Sequence, residues 1–339
     1  MQTGVKHDAD VSVRELSPGE RKAVALLQDD GRTSFAHMSK VLEVPEPTLR
    51  RMVRRLIGER VIAITAVANP RLLGLNAMAW MAVRADWSQT QGLPARMLEI
   101  SGVDYVATTT GSFQLFAEIG ARDTIDLMQR IELMRALPGV RSTETFVYLD
   151  LFHQEFRWVG PGLSTPAARR GVGGTRPVGE LEQKLILELR RDGRKSFRKI
   201  AQDLSVSERQ VRRAYAGLTD SGAARVIAVL NPARMGLKSM ALLGMRVSPS
   251  VSVQRLAAAL ADEPRVDYLV ICTGRFDVLA EVACTGPEEL ASVVEDRLGA
   301  IDGVQDIEVF SYLRLQYRDE SVWSAGRVSA LERDGGSVA

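Results

Sequence analysis

Between residues 16 and 59 the apolar side chains recur at three- and four-residue spacing, the period of helices that bury one face. Ser17-Pro18-Gly19-Glu20 offers a capping hydroxyl, a proline at the first helical position and a glutamate three residues after the cap. Val24, Leu26 and Leu27 form the stripe behind it, and Asp29-Asp30-Gly31 ends the helix. A short helix is expected from about 34 to 42 on Phe35, Met38 and Leu42. After Glu43-Val44-Pro45 a longer one runs from about 46 to 59 on Leu49, Met52, Val53 and Leu56. Downstream, short apolar and β-branched runs predict strands at 61–67, 77–84, 105–110, 114–119 and 143–151. Helical periods at 93–100 and 123–136 fall between them, and Asn69-Pro70 stops the first strand.

The same order then returns. Shifted by 162 positions, residues 30–75 fall on 192–237 without a gap, and 17 of these 46 positions are identical. Asp30-Gly31-Arg32 meets Asp192-Gly193-Arg194, Arg50-Arg51 meets Arg212-Arg213, and Asn69-Pro70 meets Asn231-Pro232. The register drifts by one so that Thr110-Gly111 meets Thr273-Gly274, and once more so that Tyr148-Leu149 meets Tyr312-Leu313. Two copies of one unit are implied. The expected layout is a tail at 1–15, a three-helix head at 16–68, a βαββαβ module at 69–158 and a linker at 159–178. A second head at 179–230, a second module at 231–318 and a tail at 319–339 complete it. The linker is rich in Gly and Pro and short of large apolar side chains, so it reads as flexible chain.

The third helix of each head carries the candidate chemistry. With its apolar stripe turned inward, copy one presents Thr48, Arg50, Arg51, Arg54 and Arg55, and copy two presents Arg209, Gln210, Arg212 and Arg213. A helix fits the major groove of duplex DNA, where Arg reads guanine, Gln reads adenine, and further cations meet phosphates. Helix, short helix, tight turn and longer helix is the helix-turn-helix outline. Residues 46–60 hold five Arg against two Glu, whereas 208–222 hold three Arg against Glu208 and Asp220, so copy one is expected to draw DNA more strongly.

Overall charge changes the picture little. Net charge is +2, so attraction for DNA must come from such clusters. Hydrophobic content of 45% and charged content of 25% suit a globular chain. No apolar run is long enough to span a bilayer and no secretory signal is visible. Two cysteines, Cys272 and Cys284, read as reduced buried thiols in a cytoplasmic protein. No phosphate-binding glycine loop, metal-ligand spacing or nucleophile triad occurs, so neither a cofactor nor catalysis is expected.

The segments RRMVRRLIGERVIAITAVANPRLLGL, TGSFQLFAEIG and TGRFDVLAEVA resemble the Lrp/AsnC regulators over nearly all of both copies. The resemblance implies an α+β fold: two winged helix-turn-helix domains, each followed by a ferredoxin-like βαββαβ effector (RAM) domain, paired back to back through their sheets. It implies a regulator that binds double-stranded DNA, assembles into homo-oligomers and responds to a small-molecule effector such as an amino acid. By position, effector candidates are Thr110, Gly111, Ser112 and Gln114 in copy one and Thr273, Gly274, Arg275 and Asp277 in copy two. Asp277 fits the family pattern and Gln114 departs from it. The glycines also suit plain hairpin turns. Two other readings stay open: an enzyme like the siroheme decarboxylases, which resemble the same fold, and a metabolite sensor acting through protein partners. Against the enzyme, only His7, His37 and His153 are present.

Overall fold

The computed structural model describes residues 16–154, 178–231 and 237–317. Both expected tails, and the linker up to residue 177, lie outside the described residues.

Three helices open the chain: α1 (Pro18–Asp29), α2 (Phe35–Leu42) and α3 (Glu46–Gly58). Ser17 and Glu20 cap α1 reciprocally, with the Ser17 amide donating to the Glu20 carboxylate at 2.9 Å. Strand β1 (Ile62–Ala68) and a 3₁₀ turn (Pro70–Leu73) follow. Then come β2 (Ala77–Ala85), a short 3₁₀ turn (Trp87–Gln89), α4 (Leu93–Glu99), β3 (Val103–Thr109), β4 (Leu115–Ala121), α5 (Thr124–Arg135) and the long β5 (Val140–Gln154). After the linker the order repeats with α6 (Glu180–Arg191), α7 (Phe197–Asp203), α8 (Glu208–Asp220) and β6 (Ala224–Leu230). It closes with β7 (Ser239–Val247), α9 (Val253–Ala261), β8 (Val266–Cys272), β9 (Val278–Cys284), α10 (Pro287–Ser292) and β10 (Val304–Tyr317). The helix expected over 287–300 is continued by a π-helical turn at Val293–Leu298, whose wider spacing no apolar period announces.

Each βαββαβ stretch makes an antiparallel four-stranded sheet, ordered β3-β4-β2-β5 and β8-β9-β7-β10. Pairing back to back is only half of the arrangement. β5 and β10 are long enough to leave their own sheet and pair with β8 and β3 of the other, opposing Gln154 to Tyr268 and Tyr317 to Tyr105. The two sheets thus close into one eight-stranded barrel with no free edge. Helices cover its outside: Leu93, Met97, Leu127 and Met134 on one sheet, Leu256, Leu260, Val293 and Leu298 on the other.

The heads also depart from expectation. A wing would be a hairpin within each head, but β1 pairs antiparallel with β6 of the other head, from Ile62↔Leu230 to Ala68↔Ala224. Among the described residues neither strand has a second partner, because each lies between the helices of both heads and is buried there. The repeated Asp-Gly-Arg explains the closeness. The Gly31 amide donates to Val226 O on β6 at 2.8 Å, and the Gly193 amide to Ile64 O on β1 at 2.9 Å. A Cβ on Gly193 would sit 2.7 Å from Ile64 O, and one on Gly31 would sit 3.1 Å from the Ile227 backbone, so only glycine admits this contact. Next to them Arg32 donates to Gly193 O and Lys195 O and lies over the Phe197 ring, 4.2 Å from its centre. Arg194 answers by donating to Thr33 O at 2.8 Å and lying 4.3 Å from the centre of Phe35. The linker's reach therefore does not set the distance between the heads; this clasp does.

Candidate nucleic-acid interface and effector site

α3 and α8 hold the candidate groove-reading residues, and each ends a three-helix head. Leu49, Val53 and Leu56 bury one face of α3, and Val211, Ala214 and Leu218 bury that of α8. Just before each helix the chain bends through a left-handed residue, Glu43 (φ 55°) and Ser205 (φ 54°), which sit at equivalent repeat positions. The Ser207 hydroxyl caps α8, whereas Pro45 leaves α3 without a side-chain cap.

The outward residues fall into two groups. At the margins of the exposed face, side chains reach neighbouring helices. Arg50 bonds Glu46 at 2.9 Å and lies 4.7 Å from the centre of Phe35; Arg212 repeats this with Glu208 at 3.0 Å and Phe197 at 5.1 Å. Arg55 reaches back to Glu20 of α1 at 2.7 Å, a carboxylate only 4% exposed, so it ties α3 to α1. Gln210 accepts from the Ser207 amide at 3.0 Å and the Ser207 hydroxyl at 2.7 Å, which occupies the oxygen that bidentate adenine reading needs. At the centre of the face lie Arg51, Arg54, Arg209 and Arg213, all exposed and without an ion pair among the described residues. Thr48 is half-buried in the first turn of α3. α3 and α8 thus offer two uncommitted guanidinium groups each, and the charge difference read from composition shrinks once paired arginines are set aside.

The effector candidates cluster at the two Thr-Gly turns. Gly111 (φ 100°) and Gly274 (φ 130°) need the left-handed backbone that glycine tolerates. Each turn packs on the other sheet's long strand: the Thr110 amide donates to Ser311 O at 2.9 Å and the Thr273 amide to Val147 O at 3.1 Å. Gln114 and Asp277 play one role. Gln114 Oε1 accepts from the Ala85 amide at 2.9 Å, and Asp277 Oδ2 from the Val247 amide at 2.8 Å, so both clip their hairpins to the neighbouring strand.

Ser112 and Arg275 come together from different copies. The Arg275 guanidinium is 3.5 Å from Ser112 Oγ, 3.5 Å from Glu144 and 3.4 Å from Glu308, and it lies 5.2 and 5.0 Å from the centres of Phe113 and Phe276. Ser112 also bonds Glu308, and Arg84 donates to Ser112 O at 3.1 Å. Glu144 and Glu308 are equivalent in the two copies, as are Ser112 and Arg275. One half-exposed cation between two half-exposed carboxylates results.

Sequence reasoning missed these two glutamates and a second pair inside the barrel. Glu118 on β4 accepts from Tyr148 at 2.7 Å and from Tyr268 of the other sheet. Glu281 on β9 accepts from Tyr105 of the other sheet at 2.7 Å and from Tyr312. Both glutamates are at most 2% exposed among Trp80, Phe116, Phe146 and Phe310. Burial, and then the Glu118 carboxylate, hold the Tyr148 phenol well above its ordinary pKa, so it keeps its proton. A glutamate inside an apolar strand, repeated in FAEIG and LAEVA, was the signal available. Cys272 and Cys284 are free and buried, their thiols pushed up by burial to about 12 and about 11. His37 is exposed on α2, and His153 is buried on β5 opposite Leu269.

This architecture, a pair of helical heads on a barrel of two ferredoxin-like sheets, can be set against known proteins. Residues 240–322 match the model of the Lrp/AsnC ligand binding domain, and residues 93–160 match that of a C-terminal dimeric alpha+beta barrel domain. An HTH-type transcriptional regulator of Pyrococcus abyssi is 34% identical over 145 residues, which cover 42% of this chain and 90% of that protein. The HTH-type transcriptional regulator FL11 of Pyrococcus furiosus is 26% identical over 137 residues, 40% of this chain and 90% of that protein. Among solved structures the siroheme decarboxylase NirDL matches with a TM-score of 0.60 at 18% identity, covering 93% of this chain and 99% of that one, a likeness of fold. The chain belongs to the Lrp/AsnC family, and its homologues are HTH-type transcriptional regulators. No helix among the described residues is long and apolar enough to cross a membrane.

Proposed function

We propose that the chain is a sequence-specific DNA-binding transcriptional regulator made of two complete head-plus-effector units in one polypeptide, with α3 and α8 entering successive major grooves. The observation that carries the reading is the set of four unpaired guanidinium groups, Arg51, Arg54, Arg209 and Arg213, on the outward faces of the third helices of two clasped heads. The duplication is supported by relatives that span about two fifths of this chain at 90% of their own length. Each free arginine that meets a phosphate releases a counterion. Arg51→Ala or Arg54→Ala should therefore lower the slope of log affinity against log salt by about one unit, read from gel shifts on the chain's own promoter. Arg55→Ala should leave the slope in place and lower the melting temperature of the head, because it removes the cation that ties α3 to the buried Glu20 carboxylate of α1. An unchanged slope in both single variants would remove the α3 interface.

The effector reading centres on Arg275, Ser112, Glu144 and Glu308. An α-amino acid presents a carboxylate to the guanidinium and an ammonium to a glutamate. The existing contacts at 3.4–3.5 Å are half-exposed and worth no more than about 1 kcal/mol each, so a ligand can replace them. At least one of the twenty amino acids should raise the melting temperature of the wild type and not that of Arg275→Ala, since ligand at a hundred times its Kd stabilises by about 2.7 kcal/mol. Equal shifts in both proteins would move the site elsewhere.

Assembly beyond one chain is supported by apolar side chains left in water: Ile125 and Met128 on α5, and Leu149 and Leu313 at equivalent points of β5 and β10. The reading is not enzymatic. A decarboxylase would lower the mass of added siroheme by whole CO2 units, and incubation followed by mass analysis should return it intact.

A further inference from the structure

We infer that the chain reads a non-palindromic operator, two unlike half-sites in a fixed order on the duplex; this rests on the proposed DNA-binding function. A dimer of identical chains turns the same side chains to both half-sites, so its operator mirrors its twofold symmetry. Here the clasp keeps the symmetry of the scaffold. Gly31, Arg32 and β1 do for one head what Gly193, Arg194 and β6 do for the other. The reading faces have lost that symmetry.

By the 162-residue register, Pro47 stands where α8 has Arg209, Arg51 where it has Arg213, Arg54 where it has Ala216, and Thr48 where it has Gln210. The free guanidiniums of α3 are Arg51 and Arg54; those of α8 are Arg209 and Arg213. The pair on α8 therefore lies about one turn, or ~5 Å, nearer the helix N-terminus. That end enters the groove deepest in helix-turn-helix docking and meets base edges. α8 thus brings an arginine fork to the first base step, a donor set suited to guanine O6 and N7. α3 brings Pro47 and the Thr48 side chain there, which offer a methyl and a hydroxyl, and places its last guanidinium, Arg54, ~10 Å further along, over the flanking backbone. One scaffold holds two readers of different bases.

Selection of bound fragments from a random-sequence duplex library with the full chain tests this. The enriched site should contain two unlike halves, and replacing one half by the dyad image of the other should weaken binding at least tenfold. Arg209→Ala should relax base preference in one half only, whereas Arg51→Ala should weaken binding without changing the selected bases. Both side chains are exposed and unpaired, and an unchanged melting curve establishes that the variants fold. A palindromic motif, or an Arg209→Ala variant that relaxes both halves equally, overturns the inference while the regulator reading survives. No enrichment over the starting library overturns both.

Discussion

Glu118→Leu should destabilise the barrel by about 3–5 kcal/mol. The cost does not come from lost volume, since leucine nearly fills the space. It comes from Tyr148 and Tyr268, whose buried hydroxyls both donate to Glu118 and, 3.4 Å apart, would lose their shared carboxylate acceptor. Tyr268 belongs to the other sheet, so the same change loosens the contact between sheets. The pattern is reciprocal, with Tyr105 crossing to Glu281, and Glu281→Leu should cost as much. Replacing the whole cluster separates this account from simple core damage. Glu118→Leu combined with Tyr148→Phe and Tyr268→Phe removes the carboxylate together with the two hydroxyls that donate to it and should recover most of the loss. Urea unfolding followed by tryptophan fluorescence, in a background where Trp87, Trp158 and Trp323 are replaced by Phe, leaves Trp80, fully buried beside Tyr105, to report the barrel. A triple variant no more stable than Glu118→Leu alone would sink the explanation.

Most of the element order was legible in the sequence because local periodicity sets it: the helix expected at 46–59 and the strand expected at 77–84 appear as α3 (Glu46–Gly58) and β2 (Ala77–Ala85), and the others shift by a few positions at their ends. What could not be read is how the two copies meet. Strand β1 announces an apolar run but not its partner, since any antiparallel strand of matching burial would serve; that partner is β6. The repeated Asp-Gly-Arg was visible and read only as a helix stop, because a glycine admitting a neighbouring backbone and a glycine ending a helix look alike in sequence. At the interface the outward side of α3 was evident from its stripe, yet nothing in sequence separates Arg54, which stays free, from Arg55, which meets Glu20 thirty-five positions earlier. For the effector, position singled out Arg275 and Ser112. Their meeting across the copies, and the glutamates that join them, depend on the closed barrel.

That same clasp predicts a strict spacing rule on DNA. The heads are joined by seven residue pairs between β1 and β6, by two backbone contacts at Gly31 and Gly193, and by two arginines stacked on aromatic rings of the opposite head. They cannot turn independently. Inserting five base pairs between the half-sites rotates one of them by about half a turn, to the far side of the duplex. A clasped pair then engages only one half, and the gain from simultaneous binding is lost. That gain commonly spans about 10²–10⁴ in affinity, so the insertion should weaken binding at least a hundredfold, and ten base pairs should also fail because the distance between the heads is set by the protein. Gly193→Ala drives a methyl group against Ile64 O, and with Arg32→Ala and Arg194→Ala it should loosen the packing of one head against the other. The loosened protein should bind the native spacing more weakly and discriminate less among spacings. Affinities measured by gel shift across a spacer series read both effects, and a wild type that tolerates the five-base-pair insertion would mean that the heads are not held as the clasp requires.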